Sequence, residues 1–225
     1  APDGVLGGRT LAAMNVPVEA RIDQLRLTLE RARWVLDDTA GEVVIVNVAG
    51  YEVFAARDGQ PFWRRRAVVG TAARETPIFK GQMTYLDLNP TWTVPPTILR
   101  EDLLPKVRRN PDYLRRENFS VLDPQGRPLN AAAINWRAVS DRPPYVFRQG
   151  PGPRNALGRV KFIFPNGHSI YLHDTPGRDL FNQAERNFSS GCIRVEDPLS
   201  LAEILLADPV RWNRRALDAA VASGK

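Results

Sequence analysis

"RVKFIFPNGHSIYLHDTP", residues 159–176, reads as two strands around a turn. Both arms are rich in β-branched and aromatic residues, and Pro-Asn-Gly between them is turn chemistry. In "SIYLHD" the apolar residues alternate. Ile170 and Leu172 are expected to face a core, and Tyr171 and His173 to share the other face, with His173 exposed or lining a cleft. Fifteen residues after His173, beyond a loop containing Pro176 and Gly177, comes "FSSGCIRVEDP" (188–198), which holds the only cysteine. A strand carrying histidine and a Gly-Cys turn returning beside it can bring an imidazole and a thiol together.

Working outward, the same period of two recurs upstream. "EVVIVNVA" (42–49) and "YEVFAARDG" (51–59) read as paired strands with a turn near Gly50, and "PFWRRRAVVG" (61–70) and "QMTYLDLN" (82–89) continue the pattern. Residues 97–118 read as polar helix broken at Pro105 and Pro111, and 119–158 as Pro/Gly-rich chain with short strands. The segment 97–150 is therefore expected to be an insertion lying over a β core. Residues 1–15 read as a turn and a short helix. Residues 17–36 read as a helix with Val18, Ile22, Leu25, Leu29, Ala32 and Leu36 on one face. Residues 197–207 and 211–222 read as closing helices. The fold class is mainly β with a cap insertion, an N-terminal helix and C-terminal helices.

The chain has 225 residues, 43% hydrophobic and 25% charged, with no apolar run near the roughly 20 residues of a membrane span. "APDGVLGGRT" lacks the basic start and apolar stretch of a signal peptide. Net charge is +6. Only four basic residues are lysines (Lys80, Lys106, Lys161 and Lys225). The basic pairs are scattered and no nucleic-acid recognition motif accompanies them, so solvated faces or attraction to an anionic polymer are the readings left. One cysteine excludes an internal disulfide, and His168 and His173 are too few for a histidine-rich metal site. No metal or cofactor is expected.

On these residues alone, Cys192 reads either as a small buried hydrophobe or as a nucleophile. The nucleophile needs a base, which His173 can be, and oxyanion donors. The glycine before it lets the backbone turn tightly enough for the N–H groups of Gly191 and Cys192 to converge. A neighbouring imidazolium would lower the thiol's pKa.

The run His173-Asp174-Thr175-Pro176, the fifteen-residue spacer and Ser189-Ser190-Gly191-Cys192-Ile193-Arg194 resemble the active-site signature of the L,D-transpeptidases, the YkuD-domain family. "MNVPVEARIDQLRLTLERARWV" (14–35), "TPIFKGQMTYLDLNPTWTVPPTI" (76–98) and "DGVLGGRTLAAMN" (3–15) resemble, in turn, the linker helix, the entry to the helical cap and the tail of a peptidoglycan-binding repeat in the larger capped members. The resemblance implies a β-sandwich or barrel-like catalytic core over 41–225, a cap at about 97–150, a linker helix over 16–40 and a repeat tail over 1–15.

It further implies an exported fragment of a longer envelope protein, reaching a membrane only through parts outside this sequence, with peptidoglycan stem peptides as donor and acceptor. Cys192 resembles the nucleophile and His173 its base, oriented by the Asp174 carbonyl. Ser189, Ser190 and Gly191 form the active-site loop. Arg194 shapes the site or makes a structural ion pair. Tyr171 matches a pocket-wall aromatic, and Trp92 lines the cleft or sits in a core. His168, in a turn, is expected at the surface. Most of the family has histidine where this chain has Ser190, which leaves His173 as the candidate base. The implied reaction is stem cross-linking, with 3→3 links ahead of 1→3 links, a hydrolytic variant or a non-enzymatic peptidoglycan binder.

Overall fold

The computed structural model describes Gly4, residues 6–36 and residues 40–224. Most of the expected N-terminal turn and the side chain of Leu36 lie outside the described residues. Two helices come first, α1 (Gly8–Met14) and α2 (Val18–Leu36). The apolar face predicted for α2 is largely in solvent: Val18, Ile22, Leu25 and Leu29 are all exposed.

The larger sheet begins with a hairpin of β1 (Glu42–Asn47) and β2 (Glu52–Arg57), followed by the eleven-residue β3 (Gln60–Gly70). The hairpin turns where expected. Gly50 N–H donates to Asn47 Oδ1 at 3.0 Å, and Tyr51 takes a φ of 55°. β4 (Tyr85–Leu88), β8 (Val160–Ile163), β9 (Leu172–His173) and β11 (Ile193–Val195) complete the path β1-β2-β3-β11-β9-β8-β4, with β10 (Asn187–Ser189) pairing β3. Most pairs are antiparallel, but β11 runs parallel to β9.

One face of this sheet makes the core. Val53, Trp63, Ala67, Val160, Phe162, Leu172, Ile193 and Val195 pack with Leu199 and Leu201 of α6 (Pro198–Leu206) and Leu217 of α7 (Arg214–Ala222). Each fully buried aliphatic or aromatic side chain contributes roughly 1.5–3 kcal/mol. Trp63 Nε1–H donates to Ser200 Oγ at 2.8 Å, which fixes α6 to β3. By alternation, the opposite face carries Lys161, Tyr171, His173, Cys192 and Arg194.

The insertion is more than a helical cap. It has its own three-stranded sheet, β5 (Trp92–Thr93), β7 (Val146–Gln149) and β6 (Phe119–Leu122) in that order, and its own apolar cluster around Leu104, Val107, Leu114, Val121 and Phe147. It therefore starts at Trp92. β5 is two residues long and bounded by prolines, too short to show alternation. Pro111 separates α4 (Leu104–Arg109) from α5 (Asp112–Arg116) as expected, but Pro105 does not break the chain. It sits in the first turn of α4, after α3 (Pro96–Ile98) and a five-residue π-helical stretch, Leu99–Leu103, where a missing N–H is tolerated. The neck is tied by Asn155, fully buried, whose Nδ2 donates to the carbonyls of Pro90 and Gly150 at 2.9 Å each.

Candidate active site

β9 and β11 set the site. Their parallel register places Leu172 opposite Ile193 and His173 opposite Arg194, and Ile193 N–H donates to the Tyr171 carbonyl at 2.9 Å. Cys192, two residues before Arg194, shares its face, so thiol and imidazole are diagonal neighbours on one side of adjacent strands. Such neighbours stand roughly 7–8 Å apart at the backbone.

His173 is buried, so of the two expectations, exposed or lining a cleft, the exposed one does not hold. The reason is its strand's position: β9 is interior, with Lys161 in register on one side and Arg194 on the other. Its Nδ1 meets the Asp174 carbonyl, which can only accept, so Nδ1 carries the proton and Nε2 is left as the acceptor. Burial, then the charge of Arg194, pulls its pKa down to about 4, against the opposing effect of the Asp174 carbonyl. The thiol moves the other way. Burial pushes Cys192 up, while a hydrogen bond with the Tyr171 backbone and the charges of Lys161 and Arg194 pull it down. The resting pair at neutral pH is thus thiol and neutral imidazole. The expected imidazolium is absent because both groups are shielded from water.

Asp174 is itself held. Its carboxylate accepts from Arg159 N–H at 2.9 Å, Arg159 Nε at 2.8 Å and the Arg178 guanidinium. At Gly158, φ +63°, a Cβ would come within 2.5 Å of the Asp174 side chain, so only glycine fits. Arg159 and Arg178 were not singled out in the sequence, where they are two arginines among many.

The loop before the cysteine is equally constrained. Gly191 has φ +107°, and a Cβ there would lie 2.9 Å from Ile170 Cδ1 and 3.2 Å from the Glu75 carbonyl. Ser189 Oγ donates to the Cys192 carbonyl at 2.6 Å and accepts from Gly191 N–H at 3.1 Å. The Gly191 N–H, expected to face an oxyanion, is therefore spent inside the loop. Thr76 Oγ1 donates to the Gly191 carbonyl at 2.7 Å and accepts from Gly70 N–H at 2.9 Å. Ser190 Oγ accepts from Arg74 Nη1 at 2.7 Å. The same Arg74 reaches Asp102 at 2.7 Å and Glu101 at 2.5 Å in the insertion. The Cys192 Sγ lies 3.8 Å from the Ser169 carbonyl.

The remaining predicted residues divide. Tyr171 is half-buried beside His173 in sequence and face, with Lys161 Nζ 3.7 Å from its ring centroid. Arg194 is half-buried and its Nε, shielded from water, has no hydrogen-bond partner among the described residues, so the ion-pair reading finds no support. Trp92 packs 6.1 Å from the Phe119 ring in the insertion's cluster, the core reading, while Cys192 packs against the other cluster. His168 is exposed, its ring tilted against that of Phe79 with centroids 5.1 Å apart. Among the described residues no group of three or more His, Cys, Asp or Glu is placed to hold a metal ion.

Comparison with known proteins gives the family. Residues 41–211 match the family model of the L,D-transpeptidase catalytic domain, YkuD. A protein of Haemophilus influenzae named "Putative L,D-transpeptidase" is 39% identical over 208 residues, covering 92% of this chain. The chain spans 42% of that relative's length. An L,D-transpeptidase from Mycobacterium smegmatis aligns in structure at 16% identity over 73% of this chain and 53% of its own, with a TM-score of 0.37. Match, register and signature together place this chain in the L,D-transpeptidase (YkuD) family.

Proposed function

We propose that this domain catalyses L,D-transpeptidation between peptidoglycan stem peptides in the cell envelope, through a thioester on Cys192. The observation that carries the reading is the juxtaposition of Cys192 and His173 on one face of adjacent parallel strands, with the His173 Nδ1–H committed to the Asp174 carbonyl. Nε2 then accepts the thiol proton as sulfur attacks the carbonyl carbon of the donor amide. The developing oxyanion takes the Cys192 N–H, since the Gly191 N–H is engaged by Ser189. Collapse breaks the C–N bond, and the imidazolium returns the proton to the leaving amine. An acceptor amine gives its proton to the same nitrogen, attacks the thioester and releases the thiol.

Arg194, with an unpartnered buried Nε beside the cysteine, receives a stem carboxylate. Tyr171 forms the pocket wall. Donor cleavage after the third stem residue, giving 3→3 links and free D-alanine, is the favoured outcome over 1→3 linkage or hydrolysis. Residues 1–15 are read as the tail of a peptidoglycan-binding repeat and residues 16–40 as a linker helix. Among the described residues no helix is long and apolar enough to cross a membrane.

The test is incubation with purified disaccharide-tetrapeptide and tandem mass spectrometry of the products. Dimers joined through two diaminopimelates, with D-alanine released, support the reading. Dimers joined through the first alanine would replace the 3→3 assignment, free tripeptide would indicate a hydrolase, and binding without turnover would leave a peptidoglycan-binding module.

A further inference from the structure

The sheet register places a second cation in the reacting row. β4, β8, β9 and β11 align Asp87, Lys161, His173 and Arg194 across four adjacent strands. The register and the alternation put all four on the face that carries Cys192 and Tyr171. Lys161 is one of four lysines in an arginine-dominated chain and is half-buried. Its ammonium sits over the Tyr171 ring, 3.7 Å from the centroid, a cation–π contact that fixes its position beside the residue paired with the cysteine turn.

We propose that Lys161 is a positioning residue for the acyl-transfer site: held over Tyr171 in the His173 row, its ammonium favours the sulfur anion at Cys192 and keeps His173 in its proton-accepting form. The inference rests on the Cys192–His173 reading above. Several groups face this row: Asp87 from β4, Lys161 from β8, Tyr171 and His173 from β9, and Cys192 and Arg194 from β11, with Asp174 following His173. Of these, Asp87 partly offsets the lysine and Arg194 adds to it. The Lys161 charge acts in the lowering direction on both reacting groups, and Cys192 acts back on it. Burial works against that charge, lowering the lysine's own pKa. Arginine lacks this liability but is bulkier and planar, whereas a flexible lysine brings a compact charge over the aromatic face.

The test uses Lys161→Met and Lys161→Arg in the same chain. Methionine keeps the length and apolar stem of lysine and removes the charge. Cys192 is the only cysteine, so alkylation by an uncharged reagent reports one site. His173 and His168 are the only histidines, so ring NMR resolves the base with an exposed internal reference. In Lys161→Met, alkylation at neutral pH should slow roughly three- to tenfold, as expected for removing a unit charge at this range in a partly shielded site. The His173 titration should move to higher pH, and Lys161→Arg should restore both the alkylation rate and that titration. Methionine and wild-type proteins with superimposable alkylation and His173 curves would overturn the inference, as would equal shifts in the methionine and arginine variants, which would mark Lys161 as packing only. Failure of the underlying reading is distinguishable: wild-type protein would then show no thioester with donor, whatever Lys161 does to the thiol.

Discussion

Thr76→Val isolates the support beneath the cysteine turn. The substitution preserves shape and removes one hydroxyl. In the wild type that hydroxyl, buried, joins the Gly70 N–H at the end of β3 to the Gly191 carbonyl. The geometry leaves no substitute. A Cβ on Gly70 would meet the Arg74 carbonyl at 2.2 Å and the Thr76 nitrogen at 2.7 Å, so segment 71–76 is already pressed against the strand end. The valine variant strands a buried donor and a buried acceptor, each costing about 1–3 kcal/mol. A total of about 3 kcal/mol corresponds to a fall of roughly 6–12 °C in Tm for a chain of this size. The turn that aims the Cys192 N–H loses its tether as well, so acylation by a carbapenem should slow about tenfold or more, equivalent to about 1.4 kcal/mol of barrier. Thermal unfolding and stopped-flow acylation read the two effects separately. A Tm within 1 °C of wild type together with unchanged acylation would refute the argument that Thr76 holds the loop.

Further outcomes follow from the same geometry. Cys192→Ala should abolish turnover while leaving Tm within about 2 °C, because a half-buried thiol contributes little packing; retained activity with a large Tm loss would make it a core residue. A carbapenem should add one covalent mass at Cys192, mapped by peptide mass spectrometry, and an excess of drug giving no adduct would count against the nucleophile. His173 is buried neutral, with a pKa near 4 against about 6.5 unfolded, so the unfolded chain binds the extra proton first. Stability should therefore fall as pH drops from about 6.5 through about 4, by on the order of 3 kcal/mol, and His173→Leu should remove that increment from the urea-unfolding profile. Wild-type and variant profiles of equal slope over that window would show that the histidine is not buried neutral.

The β core was legible because its strands obey the period of two. The hairpin at 42–57, the long β3 and the β8 strand all fall where alternation puts them. The "SIYLHD" stretch left one thing open. Alternation fixes which residues share a face, but it does not say what covers that face, and His173 is enclosed because β9 lies inside the sheet. The insertion's sheet was legible only as possible short strands within 119–158, for a related reason. β5 has two residues and β6 and β7 four each, separated by long irregular chain, so periodicity has too few residues to register. Residue type and spacing alone left Cys192 open between an idle hydrophobe and a nucleophile, and the resemblance to the L,D-transpeptidase signature was what paired it with His173. Thr76, Arg74, Arg159 and Arg178 were not legible, because their roles come from contacts between residues far apart in the chain or from turns with no local signature.

Those distant contacts converge on one mechanical feature. The segment from Gly70 to Thr76 leaves β3 and touches the cysteine loop twice, at Gly191 through Thr76 and at Ser190 through Arg74. Arg74 also binds Glu101 and Asp102, which belong to the π-helical stretch of the insertion. Its side chain is a quarter exposed and theirs about two fifths, so each ion pair alone is worth little after solvent screening. Their value lies in geometry. One guanidinium fixes the position of two acids in the insertion relative to a serine two residues before the nucleophile. A π-helical turn already departs from regular helix bonding, and such turns accommodate displacement more readily than α-helix. The link between the insertion and Ser190 is a planar, multidentate group that lysine could not replace. Ser190 stands where most of the family that this chain resembles has histidine and where the larger capped members resemble this chain; its hydroxyl accepts from Arg74, so the position joins the insertion to the cysteine loop.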